Sequence, residues 1–379
     1  MTRLCQEHGG INLSQGFPGF APPPEVVDAA KAALSGPYHQ YSITWGAPEF
    51  RKAIANKIER FRGITADPDT MITVTCGATE AMIASLLAVI DPGDEVVIFE
   101  PFYENYGPDA IISGGVPRFV PLRGRELTWN DAELAAAFGP KTRAVIVNTP
   151  HNPSGKVFTR VELQRIADLC IAHDTLAITD EIYEHIVYDS REHVSLATLP
   201  GMAERTITIG GLSKTYSVTG WRLAYAVAPP DVSEGVRKMH DFLTVGAPHP
   251  LQLAGVSALE LPDSYYETLR DSYASKRDLL IEHLERATFR PLRPEGSYFV
   301  LCEIDHFLDR LGLDDDVAFA KYLVTDIGVA GVPGSSFYSD PALGRHLIRF
   351  HFAADHEVLR AAGERLLKVN ENLNPISGT

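Results

Sequence analysis

Short apolar runs rich in Val and Ile recur along the first two thirds of the chain: ITVTC (72–76), EVVIF (95–99), RAVIVN (143–148), TLAIT (175–179), TITI (206–209) and LAYAVA (223–228). Between many of them lie stretches with apolar residues at helical spacing, such as TEAMIASLLAVI (79–90) and RVELQRIADLCIAHD (160–174). Runs that are apolar at nearly every position are strands buried on both faces. Their alternation with helices is the mark of a mainly parallel sheet covered on both sides. Residues 35–270 are therefore expected to form a large α/β domain.

The remainder has another texture. A long helix is expected over 263–288, then a strand (SYFVLCEI, 297–304), a helix (DDVAFAKYLVTDIG, 315–328), a strand (HLIRFHFA, 346–353) and a last helix over 356–373. This order predicts a smaller α+β domain from residues 1–34 and 271–379, the former supplying an N-terminal arm. A cleft between two lobes is the usual place for a small ligand.

Composition narrows the choice of partner. The 379 residues include 34 basic and 49 acidic ones, a formal net charge of -15, and no Lys- or Arg-rich run that would follow a phosphate backbone. Nucleic acid is not an expected partner. No run of about 18 apolar residues exists and MTRLCQEHGG lacks the apolar core of a leader, so a cytoplasmic protein without membrane contact is expected. Cys5, Cys76, Cys170 and Cys302 are far apart, without metal-binding spacing, so reduced thiols and no metal are expected.

In open α/β sheets ligands collect at the carboxyl ends of strands, and four such ends carry suggestive residues. In VTCGATEAMIAS (74–85) a strand turns through Gly77 and Ala78 into a helix with Thr79 in its first turn. Free N–H groups there suit one phosphate, although a Gly before a helix is often only a tight turn. AVIVNTPHNPSGKVF (144–158) offers Asn148 and Asn152 in a rigid turn, or merely turn formers. TLAITDEIYEHIVY (175–188) runs from a buried strand into Asp180, Glu181 and Tyr183, and Asp180 either meets a cation or caps a helix. TITIGGLSKTYSVTGWRLAYAVAP (206–229) places Lys214 among small residues with Arg222 eight positions on. A lysine in a partly desolvated pocket is a carbonyl-reactive amine, and an arginine fork suits a phosphate. Together these ends supply an anion nest, an amide, a carboxylate, an amine and a guanidinium. Pyridoxal 5'-phosphate needs those parts.

The chain resembles the class I/II aminotransferases of pyridoxal-phosphate fold type I, in the branch containing kynurenine, glutamine–phenylpyruvate and methionine aminotransferases. The likeness runs through INLSQGFPGFAPPP (11–24), YHQYSITWGAPEFRKAI (38–54), EPFYENY (100–106), NTPHNPSGKVF (148–158), DEIYEHIVY (180–188), SKTYSVTGWRLAY (213–225), PEGSYFVL (294–301), PGSSFY (333–338) and LIRFHFA (347–353). It implies a mainly parallel seven-stranded sheet flanked by helices, and transfer of an amino group from an L-α-amino acid to a 2-oxo acid by a ping-pong mechanism. It further implies that Lys214 bonds to the cofactor aldehyde and shuttles the proton, and that Asp180 pairs with the ring nitrogen. Tyr183 and Asn152 would bond the ring oxygen, and Tyr103 would stack on the ring. Gly77, Ala78, Thr79, Ser213 and Arg222 would hold the phosphate, with Tyr41 reaching it from the other subunit of a homodimer. Arg349, Asn152 and Gly16 would clamp the substrate carboxylate.

Three positions depart from the family pattern. Gly211 stands where a phosphate-binding Ser is common, with Ser213 beside the lysine instead; Gly19 replaces an Asp; Tyr103 replaces Trp or Phe. Ile11, Phe17, Tyr38, Trp45, Phe337 and Tyr338 are expected near the pocket and suggest a hydrophobic or amphipathic donor such as Met, Phe, Tyr, Gln or kynurenine. His39 and His249 are further candidates for polar contacts. The alternatives are a β-lyase for cysteine conjugates on the same cofactor, and a non-enzymatic sensor domain.

Overall fold

The computed structural model describes residues 1–373; the last six residues of the expected small domain, 374–379, lie outside the described residues. A short strand, β1 (Ile11–Asn12), precedes β2 (Ile72–Thr75), β3 (Glu95–Glu100), β4 (Val116–Pro121), β5 (Thr142–Asn148), β6 (Leu176–Asp180), β7 (Thr206–Gly211) and β8 (Ala224–Val227). The last seven form one sheet in the order β2-β8-β7-β6-β5-β3-β4. Its pairs are parallel except that β8 runs against both β2 and β7.

β2, β7 and β8 are buried at every position and β3, β5 and β6 at all but one, as their unbroken apolar runs require. The apolar runs do not announce β4. VPRFVP contains two prolines and is only partly buried, which fits an edge strand, where a missing ladder donor is tolerated. The helix Arg160–Ala172 starts at a capping box between Thr159 and Glu162.

Helix Asp263–Arg286 crosses residue 270 without a break and leads into the smaller sheet. There β9 (Arg290–Leu292), β10 (Phe299–Glu303), β12 (Val332–Pro333) and β13 (Leu347–His351) pair antiparallel in the order β12-β13-β10-β9. β1 pairs parallel with β11 (Val329–Ala330), which ties the N-terminal arm to this lobe. The expected helix 315–328 is α-helical over Asp316–Tyr322 and loosens to π winding over Leu323–Ile327.

A core of Leu280, Phe307, Phe319 and Phe350 from the small lobe also takes in Ile182, Tyr183 and Ile186, so the turn after β6 is packed between the lobes. β2, β5, β6 and β7 all end at one edge of the large sheet, where Asn148 is the register partner of Asp180. Among the described residues no helix is long and apolar enough to cross a membrane.

Candidate active site

Asp180 ends β6 with its side chain buried. Its carboxylate accepts the Tyr106 hydroxyl at 2.7 Å and the Ile182 N–H at 3.3 Å. It caps no helix, because the chain continues as a turn. Burial holds the Asp180 carboxyl above the usual carboxylate range, while the Tyr106 and Ile182 hydrogen bonds and the Lys214 cation pull the other way. A buried carboxylate of this kind is completed by a cationic partner. Burial and the neighbouring Asp180 together push the Tyr106 phenol well above its ordinary value.

Asn148 serves the backbone. Its Nδ2 donates to the Asp180 carbonyl and its Oδ1 accepts the Asn152 N–H, both at 2.8 Å. This turn leaves the Asn152 side chain free to reach Arg349.

Helix Ala78–Val89 begins after Gly77 (φ 95°) with no side-chain cap, so the N–H groups of Ala78 and Thr79 have no partner within the helix. Arg222 comes so close that a Cβ on residue 77 would lie 2.3 Å from its Nη2. Only glycine fits there, by space and by dihedral. Buried Ser213 and half-buried Lys214 line the same cleft, the Lys214 Nζ standing 6.0 Å from the centre of the Tyr298 ring. Gly211 has a packing cause: a Cβ there would meet Ile182 at 2.8 Å and Ala224 at 2.9 Å. Gly19 is similarly close to the backbone of Ala353 and Ala354.

Arg349 projects from β13 into the cleft from the opposite lobe. Its Nη1 donates to Asn152 Oδ1 at 2.8 Å and its Nη2 to the Ser14 carbonyl at 2.9 Å, while its buried Nε has no partner among the described residues. The guanidinium lies between the Phe299 and Phe337 rings, 4.3 and 4.7 Å from their centres. Burial lowers its pKa to about 10 against the opposing pull of Glu104 and Tyr183. A desolvated, fixed fork with an unused donor is suited to a carboxylate. Gly16 sits against this layer, its carbonyl accepting the Tyr298 hydroxyl at 3.1 Å, and a Cβ there would be 2.7 Å from Phe299.

The cleft between these groups holds about 800 Å³ and is lined by Tyr103, Asn152, Asp180, Tyr183, Lys214 and Arg349, among others. The expected apolar residues are not its walls. Phe337 lies beneath Arg349, Trp45 beneath Arg237, Ile11 pairs with Val329, and Tyr338 packs against the core that contains Phe99, Phe158 and Leu347. Tyr38 leans on His249, whose Nδ1 faces the Gln40 carbonyl at 3.1 Å, and Phe17 and His39 are exposed. Phe299, Val317 and Val332 take the place of the expected apolar wall. Tyr41 is 80% exposed and stands outside the cleft of its own chain. Tyr106, absent from the expected site, was available in EPFYENY: it follows Tyr103 by one helical turn.

Residues 8–366 match the family model for aminotransferase class I and II. The chain belongs to the class I and II aminotransferases. This aminotransferase is 37% identical to human kynurenine–oxoglutarate transaminase 1 and 38% identical to the methionine aminotransferase of Escherichia coli, over 97% of its own length and 94% of theirs. The solved structure of N-succinyldiaminopimelate aminotransferase from Mycobacterium tuberculosis superposes with a TM-score of 0.93 at 38% identity, covering 97% of this chain and 96% of that one. The enzyme is a transaminase of fold type I, and such aminotransferases depend on pyridoxal 5'-phosphate. The cleft fits that cofactor: an uncapped helix start and Arg222 for an anion, a buried carboxylate for a cationic ring nitrogen, an amine, and the aromatic ring of Tyr103 all line it.

Proposed function

We propose that this aminotransferase draws its amino group from an L-α-amino acid with an uncharged, hydrophobic or amphipathic side chain, of the kind of Met, Phe, Tyr, Gln or kynurenine. The supporting observation is the charge of the cleft. Among the described residues lining it, the cationic side chains are Lys214, Arg222 and Arg349. All three have tasks at the cofactor or at the substrate α-carboxylate, so a second carboxylate would meet Glu104 and Asp109 instead of a cation. The names of the human and Escherichia coli relatives agree with such donors. N-succinyldiaminopimelate carries additional carboxylates and fits this lining less well.

Bound pyridoxal phosphate supplies the electron sink that makes the substrate Cα proton removable. Lys214 would hold the cofactor through its Nζ and would be the base that takes up the substrate Cα proton. Asp180 would keep a proton on the ring nitrogen, Tyr183 and Asn152 would bond the ring oxygen, and Tyr103 would cover the ring. Gly77, Ala78, Thr79, Ser213 and Arg222 would hold the phosphate, with Tyr41 supplied by a second copy of the chain. Arg349, Asn152 and Gly16 fix the α-carboxylate. On this reading residues 35–270 form the cofactor domain, residues 1–34 and 271–379 the smaller one, and the enzyme is a homodimer of the cytoplasm. Exposed Tyr41 and Phe242 (80% and 83%), with Ile43, Leu243 and Val245, favour the dimer, since apolar side chains gathered on a surface ask for a partner.

The test is to add single amino acids to the cofactor-loaded enzyme and follow its visible absorption. Met, Phe or kynurenine should discharge the band faster than Asp or Glu. A preference for Asp or Glu would overturn the substrate reading.

A further inference from the structure

A buried histidine outside the cleft joins two of the elements to which phosphate binding is assigned. His240, on helix Pro230–Thr244, is fully buried, and both of its ring nitrogens face acceptors. Nδ1 lies 2.6 Å from Glu80 Oε1, and Nε2 lies 2.9 Å from the Thr44 carbonyl oxygen. The Thr244 hydroxyl lies 2.8 Å from the same Glu80 oxygen, its shortest contact, and farther from His240 Nδ1 (3.2 Å) and the His240 carbonyl (3.4 Å). The other Glu80 oxygen accepts the Cys76 N–H. Its hydrogen bonds hold the Glu80 carboxyl below the usual range against the cost of burial. A carbonyl cannot donate, so Nε2 carries a hydrogen toward Thr44, and an ionised Glu80 leaves the hydrogen of the Nδ1 contact to His240 as well.

Each of these bonds reaches a part of the site. Glu80 is the third residue of the helix whose start offers the Ala78 and Thr79 N–H groups, and through Cys76 it also fixes the turn before Gly77. Thr44 belongs to the segment that carries Tyr41. That segment is strapped down again by Gln252, whose Oε1 accepts the Ala47 N–H at 2.7 Å and whose Nε2 donates to Ser42 at 3.2 Å. His240 thus holds the phosphate turn of its own chain and the arm destined for the neighbouring subunit in one rigid unit.

We propose that His240, as a doubly hydrogen-bonding imidazolium paired with Glu80, is a positioning residue that couples the Cys76–Thr79 turn to the Tyr41 segment, and so links cofactor retention in the two subunits of the dimer. The inference rests on the assignment of Tyr41 to the second subunit's phosphate.

The experiment is a double-mutant cycle on the cofactor dissociation constant, with wild type, His240→Gln, Tyr41→Phe and the double variant. Glutamine has a donor for one partner only and turns an acceptor toward the other. His240→Gln should therefore weaken cofactor binding about tenfold. Tyr41→Phe should also weaken it, and the double variant should lose less than the product of the two. A multiplicative result overturns the coupling and leaves Tyr41 at the phosphate. A Tyr41→Phe protein that binds cofactor as wild type does overturns the Tyr41 assignment and the coupling with it. A second reading needs no variant: nitrogen NMR of histidine-labelled wild-type holoenzyme should show a buried imidazole with hydrogen on both nitrogens. If every buried histidine shows one bare nitrogen, the proposal fails even where the variants do not fold.

Discussion

The Tyr106 hydroxyl donates to Asp180 at 2.7 Å, with both side chains buried at the carboxyl edge of the large sheet. The bond satisfies one carboxylate oxygen without neutralising its charge, so Asp180 is oriented and still available to a cationic ring nitrogen. Orientation and charge are thus supplied by different residues.

Removing the two functions separately should give different losses. Tyr106→Phe should lower kcat about tenfold with little change in KM for the amino acid, the cost of one hydrogen bond to a charged group. Asp180→Asn should lower kcat by about 10²–10³, because the charge itself is lost. Steady-state kinetics on both variants checks this. Equal losses would mean that Tyr106 does more than orient.

Arg349 offers a fork in which Asn152 and Ser14 already fix two nitrogens and two aromatic rings fix the plane. Arg349→Ala should reduce kcat/KM for the amino acid by about 10²–10³, mainly through KM. Arg349→Lys should recover little of it, since an ammonium cannot reproduce a planar bidentate contact. A lysine variant close to wild type would remove the clamp from the account.

Asp109 lies on helix Tyr106–Ile112, buried, with one carboxylate oxygen unpartnered among the described residues. Burial raises its pKa to about 6. The folded state therefore binds more protons than the unfolded one between the ordinary aspartate range and about pH 6, and stability falls as pH rises through that window. Above about pH 6 the whole penalty is present. Asp109→Asn should then stabilise the apoenzyme by about 1–3 kcal/mol at neutral pH and by little at about pH 4. Urea unfolding at the two pH values measures it, and a gain that is the same at both would show that the charge is not the cause.

Much of this site could be read from the chain because its residues directly follow apolar runs. Asp180 follows TLAIT, Lys214 follows TITIGGLS, and Arg349 interrupts an apolar strand. Those patterns place a polar group at a strand end or in a buried strand before any geometry is known. The layers behind these groups were less legible. Phe299 and Phe337 meet around Arg349 only because β10 and the segment before Tyr338 converge there, 38 positions apart by residue number. Phe337, expected as a substrate contact, is such a support. β4 escaped notice because its prolines and half-exposed pattern belong to an edge strand. His240 gives no local sign, since its meaning lies in Glu80 and Thr44, far away in the chain.

The most direct test compares wild type with Lys214→Ala after both are loaded with pyridoxal phosphate. Wild type should show the visible absorption of lysine-bound cofactor and lose it on addition of an amino-acid donor. Lys214→Ala should retain cofactor through the phosphate contacts, show only free-aldehyde absorption, and turn over more slowly by at least about 10²–10⁴. A variant that keeps the wild-type band or the wild-type rate would contradict the assignment of Lys214, and with it the chemistry built on this cleft.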